Sequence, residues 1–289
     1  MIWINSVLQG VLLGGLYALF ACGLSLMFGV MRIINLAHGD LAVLSAYIVL
    51  IISTATGMTP WLAMPLAVVA MALLGYVLQR TLLQRSLRAG PLIPLLTTFG
   101  LAIVIQNLLL QIFSPDSKSL DAGALTSASW QLTDQITIPI LGLVVFGTAV
   151  AILGGLQLFL TRTSAGQAMR ATAQDPDTAE LIGINARHYY GLATAIALAT
   201  VTVAGTYFGM RSSFSPSSGP TQLIFAFEAV VIGGIGSLWG TLVGGIILGV
   251  SQTVGAQLNP QWSVLAGHVV FLAVLIARNA RTAVARVAR

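Results

Sequence analysis

The sequence predicts an all-α polytopic membrane protein, and three observations carry this prediction. The chain has 289 residues, of which 57% are hydrophobic and only 7% are charged, whereas soluble domains carry about 25% charged residues. Its apolar residues form several runs of about 20, the length that a helix needs to cross a bilayer. The alternating pattern of a transmembrane β-barrel is absent. A soluble enzyme with a large buried core is the weaker alternative.

The predicted membrane domain is a single unit over residues 1–289, built from about eight or nine transmembrane helices with glycine-rich breaks. The apolar segments lie at 6–30, 37–54, 60–79, 91–113, 136–160, 189–210, 222–235, 239–255 and 262–277. Nine passes are favoured over eight, because merging 222–255 into one span would place the C-terminal tail outside. This tail contains Arg278, Arg281, Arg286 and Arg289. Basic residues gather on the cytoplasmic side of membrane proteins.

The distribution of basic residues predicts the orientation. Nine passes with an external N-terminus leave only Lys118 and Arg211 of the 13 basic residues outside. The connection 114–135 is instead acidic, with Asp116, Asp121 and Asp134. A net charge of +5 would indicate a nucleic-acid partner in a soluble protein, but here it follows from the positive-inside bias. We therefore expect no nucleic acid, an external N-terminus and a cytoplasmic C-terminus.

Small residues recur every four positions in two places, at Gly10, Gly14, Ala18 and Cys22 and again at 236, 240 and 244. This spacing lets helix backbones approach closely in lipid. The string GGIGSLWG at 233–240 resembles a dinucleotide-binding loop only superficially, because a tryptophan stands where the third glycine is needed and no strand precedes it. Helix packing is the better interpretation.

The sequence lacks the motifs of catalytic and metal sites. There is no phosphate-binding loop, the one lysine is Lys118, and the three histidines are far apart in sequence. No span holds a pair of carboxylates. We therefore expect no enzymatic activity, no metal and no cofactor, which leaves a transporter or channel component.

The stretch FGVMRIINLAHGDLAVLSAY at 28–47 places polar groups on a tight corner between two apolar segments. Arg32 is predicted to anchor the first span at the lipid headgroups. Two interpretations of Asn35, His38 and Asp40 stay open. In one, Asn35 and Asp40 cap the next helix and His38 fills a gap. In the other, the three side chains and Gly39 line or gate a transport path, since polar groups at membrane depth normally face protein or water.

A second break, GGIGS at 233–237, follows another outward-to-inward pass, so the two corners are predicted to face each other across one path. Its candidate residues are Gly234 and Gly236. Glu228 is the one acid within a strongly apolar run, and an acid in a span is a functional candidate. We place it near the outer end of its segment, within reach of the interface or of Arg211.

The connection 162–188 is predicted to form two short helices on the cytoplasmic face. Thr163 or Ser164 caps the first, over about 165–173, and Asp175 caps the second with Pro176 at its first position. Gly183 suits a left-handed stop. An ordinary surface connection and a docking site for a separate motor protein are equally compatible with these residues. In the second case Arg170, Asp175, Asp177, Glu180 and Gly183 form the docking surface.

Several stretches together resemble the permeases of branched-chain amino acid ABC transporters of the LivH type. They are INLAHGD at 34–40, RSLRAGPLIPLLTTFGLAIVIQN at 85–107, RATAQDPDTAELIGIN at 170–185 and AVVIGGIGSLWGTLVGGIILG at 229–249. They occur in the family's order and cover most of the chain. The tail RNARTAVARVAR departs from the family's frequent P-T-G-[LI]-[FL]-G ending, which affects contacts at the cytoplasmic surface more than transport.

The resemblance implies an ABC importer permease in a bacterial inner membrane that carries branched-chain or other hydrophobic or small neutral amino acids. It also implies a second homologous permease, two cytoplasmic ATPase subunits and a periplasmic substrate-binding protein. The resemblance places the docking surface for the ATPases on residues 170–185. Related permeases carry urea or short amides, so these substrates remain an alternative.

Two rival functions remain less favoured. A passive solute channel would need its own filter, and no paired N-P-A motif or ring of charges is present. An ion-coupled secondary transporter would need an ion site, for which Glu228 is the one candidate within a span.

Overall fold

A computed structural model describes residues 2–90, 92–133 and 136–287. The helices of the described chain, numbered in order, are α1 Ile2–Met31, α2 His38–Thr56, α3 Pro60–Leu78, α4 Gln84–Arg88, α5 Ile93–Phe113, α6 Ile140–Arg162, α7 Ser164–Gln174, α8 Pro176–Leu181, α9 Ala186–Arg211, α10 Gly219–Gly233, α11 Leu238–Leu258 and α12 Trp262–Val287. Two short strands, β1 Ser129–Thr133 and β2 Ile136–Pro139, pair antiparallel.

A helix occupies most of each of the nine predicted apolar segments, so the all-helical membrane fold is confirmed. Among the described residues, seven helices are long and apolar enough to cross a membrane. The other two are α10, with only 15 residues, and α12, whose apolar part is Trp262–Arg278. One boundary was wrong: residues 136–139 form β2, and α6 begins after Pro139. The predicted acidic residue Asp134 lies outside the described residues.

Helix α1 is the central element of the bundle and packs against α11, α9, α6 and α10. Its small residues make this possible, since a side chain at Gly10 would meet the backbone of Val250 and one at Gly14 would meet Ile246. Gly244 in turn lies against the backbone of Ala229 in α10. Both glycine patterns therefore serve helix packing, as predicted.

The two ends of the bundle differ in structure, and we name them by their content. The hairpin end carries β1, β2 and the chain before them, where Lys118 and Phe214 exchange backbone hydrogen bonds of 2.8 Å. The α7 end carries α4, α7, α8 and the α10–α11 corner. A π-helical stretch, Gln79–Leu83, joins α3 to α4 and extends this span toward the α7 end.

Candidate transport pathway and coupling segment

The corner after α1 turns the chain back into the bundle. Arg32 takes a left-handed conformation with φ 55°, and residues 32–37 then run back along α1 without forming a helix. At the end of this segment the ring of His38 donates from Nε2 to the backbone oxygen of Phe20 at 2.9 Å. Phe20 precedes the end of α1 at Met31 by about 16 Å of helix. Helix α2 therefore begins deep inside the bundle.

Non-helical backbone at this depth needs hydrogen-bond partners within the protein. The amide of Leu36 donates to the hydroxyl of Thr98 in α5 at 3.1 Å, and the amide of Ala37 donates to Oδ1 of Asn35 at 3.0 Å. The side chains of Asn35, His38 and Asp40 are all buried. Asn35 thus supports the corner that precedes α2, close to its predicted capping role.

Asp40 does not cap α2 and instead joins two other helices. Its Oδ1 accepts a hydrogen bond of 2.8 Å from Nε2 of Gln106 in α5, and its carboxylate lies against Gly219, the first residue of α10. A carboxylate at the start of a helix is favourable because the helix dipole is positive there. We call Asn35, His38, Gly39, Asp40, Gln106 and Gly219 the half-helix junction.

Gly39 and Gly219 let the starts of α2 and α10 touch through their backbones. A Cβ atom at Gly39 would overlap the carbonyl oxygen of Gly219, and one at Gly219 would overlap the carboxylate of Asp40. Helices α2 and α10 thus start at one point within the bundle and run away from it in opposite directions. Short or interrupted helices that meet in this way are typical of substrate and gating sites in transporters.

The second predicted corner lies at the other end of α10. Gly234 and Gly236 take positive φ values of 98° and 82°, and the hydroxyl of Ser237 caps α11 by accepting from the amide of Gly240 at 3.1 Å. A Cβ at Gly29, near the end of α1, would lie 3.6 Å from the Cα of Gly236.

The prediction that the two corners face each other as one site was wrong. Only the beginning of the first corner approaches Gly236, whereas Gly39 and Asp40 lie beside Gly219 at the start of α10. Fifteen residues of α10 separate the two places, which is about 22 Å of helix. The physical reason is the extended segment 32–37, because it carries the chain away from its turning point before α2 begins.

Glu228 lies near the middle of α10 and not near an outer end, and its partner is His268 of α12. The carboxylate Oε1 and the ring Nδ1 are 2.5 Å apart, which corrects the predicted pairing with Arg211. Nearby, the hydroxyl of Tyr17 donates to Oε1 of Gln252 at 2.5 Å. The two pairs form a polar cluster between α1, α10, α11 and α12.

The connection 163–185 folds as the sequence predicts, and we call it the coupling segment. The hydroxyl of Thr163 accepts from the amide of Gly166 at 3.0 Å and caps α7. The carboxylate of Asp175 accepts from the amides of Asp177 and Thr178 at 3.1 and 3.2 Å and caps α8. The hydrogen bonds from Thr178, above all that of its hydroxyl, hold the pKa of Asp175 below its ordinary value.

Most of the predicted docking residues are exposed on this segment. Asp175, Asp177, Glu180 and Gly183 are exposed, and Gly183 ends the turn after α8 with φ 85°, as predicted. Arg170 is exposed as well but differs from the others, because it also lines a cavity between α7 and the body of the protein.

The comparisons with known proteins agree with this architecture. The model of the family described as "Branched-chain amino acid transport system / permease component" matches residues 6–277. The chain belongs to this family.

Relatives within this permease family align over nearly the whole chain. The high-affinity branched-chain amino acid transport system permease protein BraD of Pseudomonas aeruginosa is 31% identical, over 88% of this chain and 87% of BraD. The protein LivH of Escherichia coli K12 is 27% identical, over 95% of this chain and 93% of LivH. The protein LivM of the same organism is 26% identical, over 89% of this chain and 65% of LivM. The resemblance stated from the motifs is thereby confirmed, and these relatives are transport permeases, as the absence of catalytic motifs predicted.

The structure of this family member also brings in residues that the sequence did not single out. Gln106 and Gly219 complete the half-helix junction, and Thr98 supports the corner before it. Leu181 and Ile182 of the coupling segment are 86% and 71% exposed. The polar pair Thr98 and Gln106 inside the apolar run 91–113 was the available signal. No sequence signal indicated the exposure of Leu181 and Ile182, because two apolar residues at a helix end are also typical of a buried core.

Proposed function

We propose that this chain is the membrane-spanning subunit of an ABC importer for branched-chain or other hydrophobic or small neutral amino acids. It forms one permease domain and performs no chemistry, and separate subunits hydrolyse ATP. BraD and LivH are both named as branched-chain amino acid permeases. This supports amino acids over urea, short amides or a passively conducted solute. Transport by such a permease needs an exposed contact that receives movement from the ATPases.

The coupling segment is the observation that carries this proposal. Its two short helices have their own caps, Thr163 and Asp175, and it presents Leu181 and Ile182 to solvent beside acidic residues. Exposed apolar side chains with a charged rim are typical of protein interfaces. Arg170, Asp175, Asp177, Glu180 and Gly183 complete the docking surface for the ATPase.

The assembly that we propose has two permeases, two cytoplasmic ATPase subunits and a periplasmic substrate-binding protein. The similarity to LivM supports a second permease of the same family. In this assembly the chain lies in a bacterial inner membrane with its N-terminus outside and its C-terminus in the cytoplasm. The α7 end then faces the cytoplasm, which agrees with the arginines on this side.

The half-helix junction is our proposed gate. Asn35, His38, Gly39 and Asp40 hold the starts of α2 and α10 together, and Gly234 and Gly236 provide the turn that lets the other end of α10 move. Glu228 fixes the middle of α10 to α12. A shift of α10 relative to α2 would then open or close a path past Asp40.

Uptake by reconstituted vesicles tests the proposed activity. The chain is purified with its co-encoded subunits, and uptake of labelled leucine is measured with the binding protein outside and ATP inside. We expect uptake to need ATP and to persist when proton and sodium gradients are collapsed. Uptake driven by an ion gradient without ATP, or uptake of urea or acetamide in preference to leucine, would contradict the proposal.

Thiol labelling tests the proposed orientation. In a Cys22→Ala background, Trp3→Cys should react with an impermeant maleimide applied outside intact cells. Ala285→Cys should react only after the membrane is opened. Equal labelling of both positions from outside would exclude nine passes.

A further inference from the structure

A cavity lies where the coupling segment meets the body of the protein. Its volume is about 230 Å³, and α1, α6, α7 and the α10–α11 corner line it. Arg170 of α7, Gln157 and Thr161 of α6, and Gly236 of the corner supply its polar lining. The apolar lining comes mainly from Leu26, Val30 and Leu160.

The lining of the cavity carries a positive charge and no negative one. Arg170 is its cation, and its lining residues include no carboxylate. The guanidinium of Arg170 forms no hydrogen bond or ion pair with any residue that the structure describes. Ser25, which also lines the cavity, is 1% exposed, and its hydroxyl has no hydrogen-bond partner among the described residues. This hydroxyl oxygen is itself sealed from solvent, so the charge of Arg170, and not Ser25, indicates the class of ligand.

A ligand that fits this lining needs three parts. A carboxylate matches the guanidinium fork of Arg170, because the two groups form parallel charge-assisted hydrogen bonds. An ammonium group matches the side-chain oxygen of Gln157 and the backbone oxygen of Gly236. A short branched aliphatic chain matches Leu26, Val30 and Leu160. The volume suits one small molecule and not a two-chain lipid.

We propose that this cavity is a binding site for a free aliphatic α-amino acid on the cytoplasmic side of the permease. The inference rests on the proposed function, because the amino acid is the transported product and the α7 end is placed in the cytoplasm. A bound amino acid joins Arg170 on the coupling segment to α6 and to the α10–α11 corner. It therefore restrains α7 and slows further import when the cytoplasmic product accumulates.

Binding is tested on the full-length chain in its assembled complex, without the substrate-binding protein, in lipid nanodiscs. Equilibrium dialysis with labelled L-leucine should detect binding, with isovalerate competing more weakly and isoamylamine more weakly still. Arg170→Gln and Gln157→Leu should each lower the affinity for leucine about tenfold or more, since hydrogen bonds to charged groups are lost. Arg162→Gln removes a charge at the end of α6 outside the cavity and should bind leucine as the unchanged protein does.

Photolabelling locates the site independently of these variants. L-photo-leucine, a diazirine analogue of leucine, should modify peptides that contain Leu26 or Leu160, and excess leucine should prevent it. Modification only elsewhere would overturn the proposal, as would equal leucine affinity of the Arg170→Gln and Arg162→Gln complexes. Competition by inorganic phosphate as strong as that by leucine would assign the cavity to a phosphate-bearing ligand and overturn it too.

The same preparations separate this inference from the proposed function. Vesicles that import leucine with ATP but whose complex does not bind leucine in the cavity would overturn the inference alone. Failure of ATP-driven leucine uptake in vesicles would contradict the proposed function.

Discussion

The half-helix junction and the coupling segment both hold the starts of short helices, but their hydrogen bonds come from different distances along the chain. In the coupling segment, Asp175 binds amides two and three residues away. In the junction, Asp40 binds Gln106 across 66 residues and contacts Gly219 farther still. The chain around α8 in the coupling segment is mostly exposed, whereas Asn35, His38 and Asp40 of the junction are buried.

This difference predicts two different responses to mutation. The helices of the coupling segment have local caps, and α7 also packs against α6, α9 and α1. The junction holds three helices together and changes only when α2, α5 or α10 moves. A perturbation at the junction should therefore affect mainly the stability of the whole chain, and one at the coupling segment should affect transport more than stability.

The largest effect is expected from Gly39→Val. The new Cβ would overlap the carbonyl oxygen of Gly219, so α2 and α10 must separate, and overpacking of a core costs about 1–3 kcal/mol or more. We expect low yield and a lower unfolding temperature in detergent. The control is Gly100→Val in α5, where no atom lies near the added Cβ. Equal stability of the two variants would show that the contact does not hold the junction.

Asp40 variants distinguish a gate from a structural tie. Asp40→Leu leaves the amide of Gln106 without its acceptor, which costs about 1–3 kcal/mol for a buried group. Asp40→Asn keeps one acceptor oxygen and the side-chain size while it removes the charge, so we expect near-normal stability and uptake reduced several-fold. Normal leucine uptake by a well-expressed Asp40→Asn protein would leave the junction with a structural role only.

Gly183→Val should uncouple the permease with a smaller loss of stability than Gly39→Val. Gly183 has φ 85°, and a left-handed conformation costs a residue with a side chain about 1–2 kcal/mol. The turn after α8 should shift, so uptake and substrate-stimulated ATP hydrolysis should fall together. Gly57→Val imposes a similar strain at φ 70° near the hairpin end and should leave coupling intact. A normal rate in the Gly183 variant would make the segment a passive connection.

The smallest effect concerns the cap of α8. Asp175→Ala should speed amide hydrogen exchange at residues 177 and 178, whereas Asp175→Asn should change it less because an acceptor remains. The lowered pKa fixes the sign of the pH dependence. The ionised cap stabilises α8 above the ordinary pKa of aspartate, and this stabilisation is lost as pH falls through the lower folded value. Protection that disappears on raising the pH would contradict this assignment.

The comparison also explains what could be predicted from the sequence. The helix in each of the nine apolar segments, the caps at Thr163 and Asp175 and the stop at Gly183 follow from nearby residues and are confirmed, apart from the strand at 136–139. The depth at which α2 begins was not accessible, because it depends on Thr98 accepting a hydrogen bond from a backbone amide 62 residues away. The pairing of Glu228 with His268 was missed for the same reason, since the two side chains come from different helices.

The shortness of α10 has a consequence for how the chain enters the membrane. At 15 residues it spans only about 22 Å of a hydrocarbon core that is roughly 30 Å thick, so it is a poor substrate for insertion by itself. Its glycine contacts with α11, where Gly240 lies against Gly233, allow the two helices to enter as one closed hairpin. We therefore expect α10 to become stably inserted together with α11, once the chain has been synthesised past residue 258.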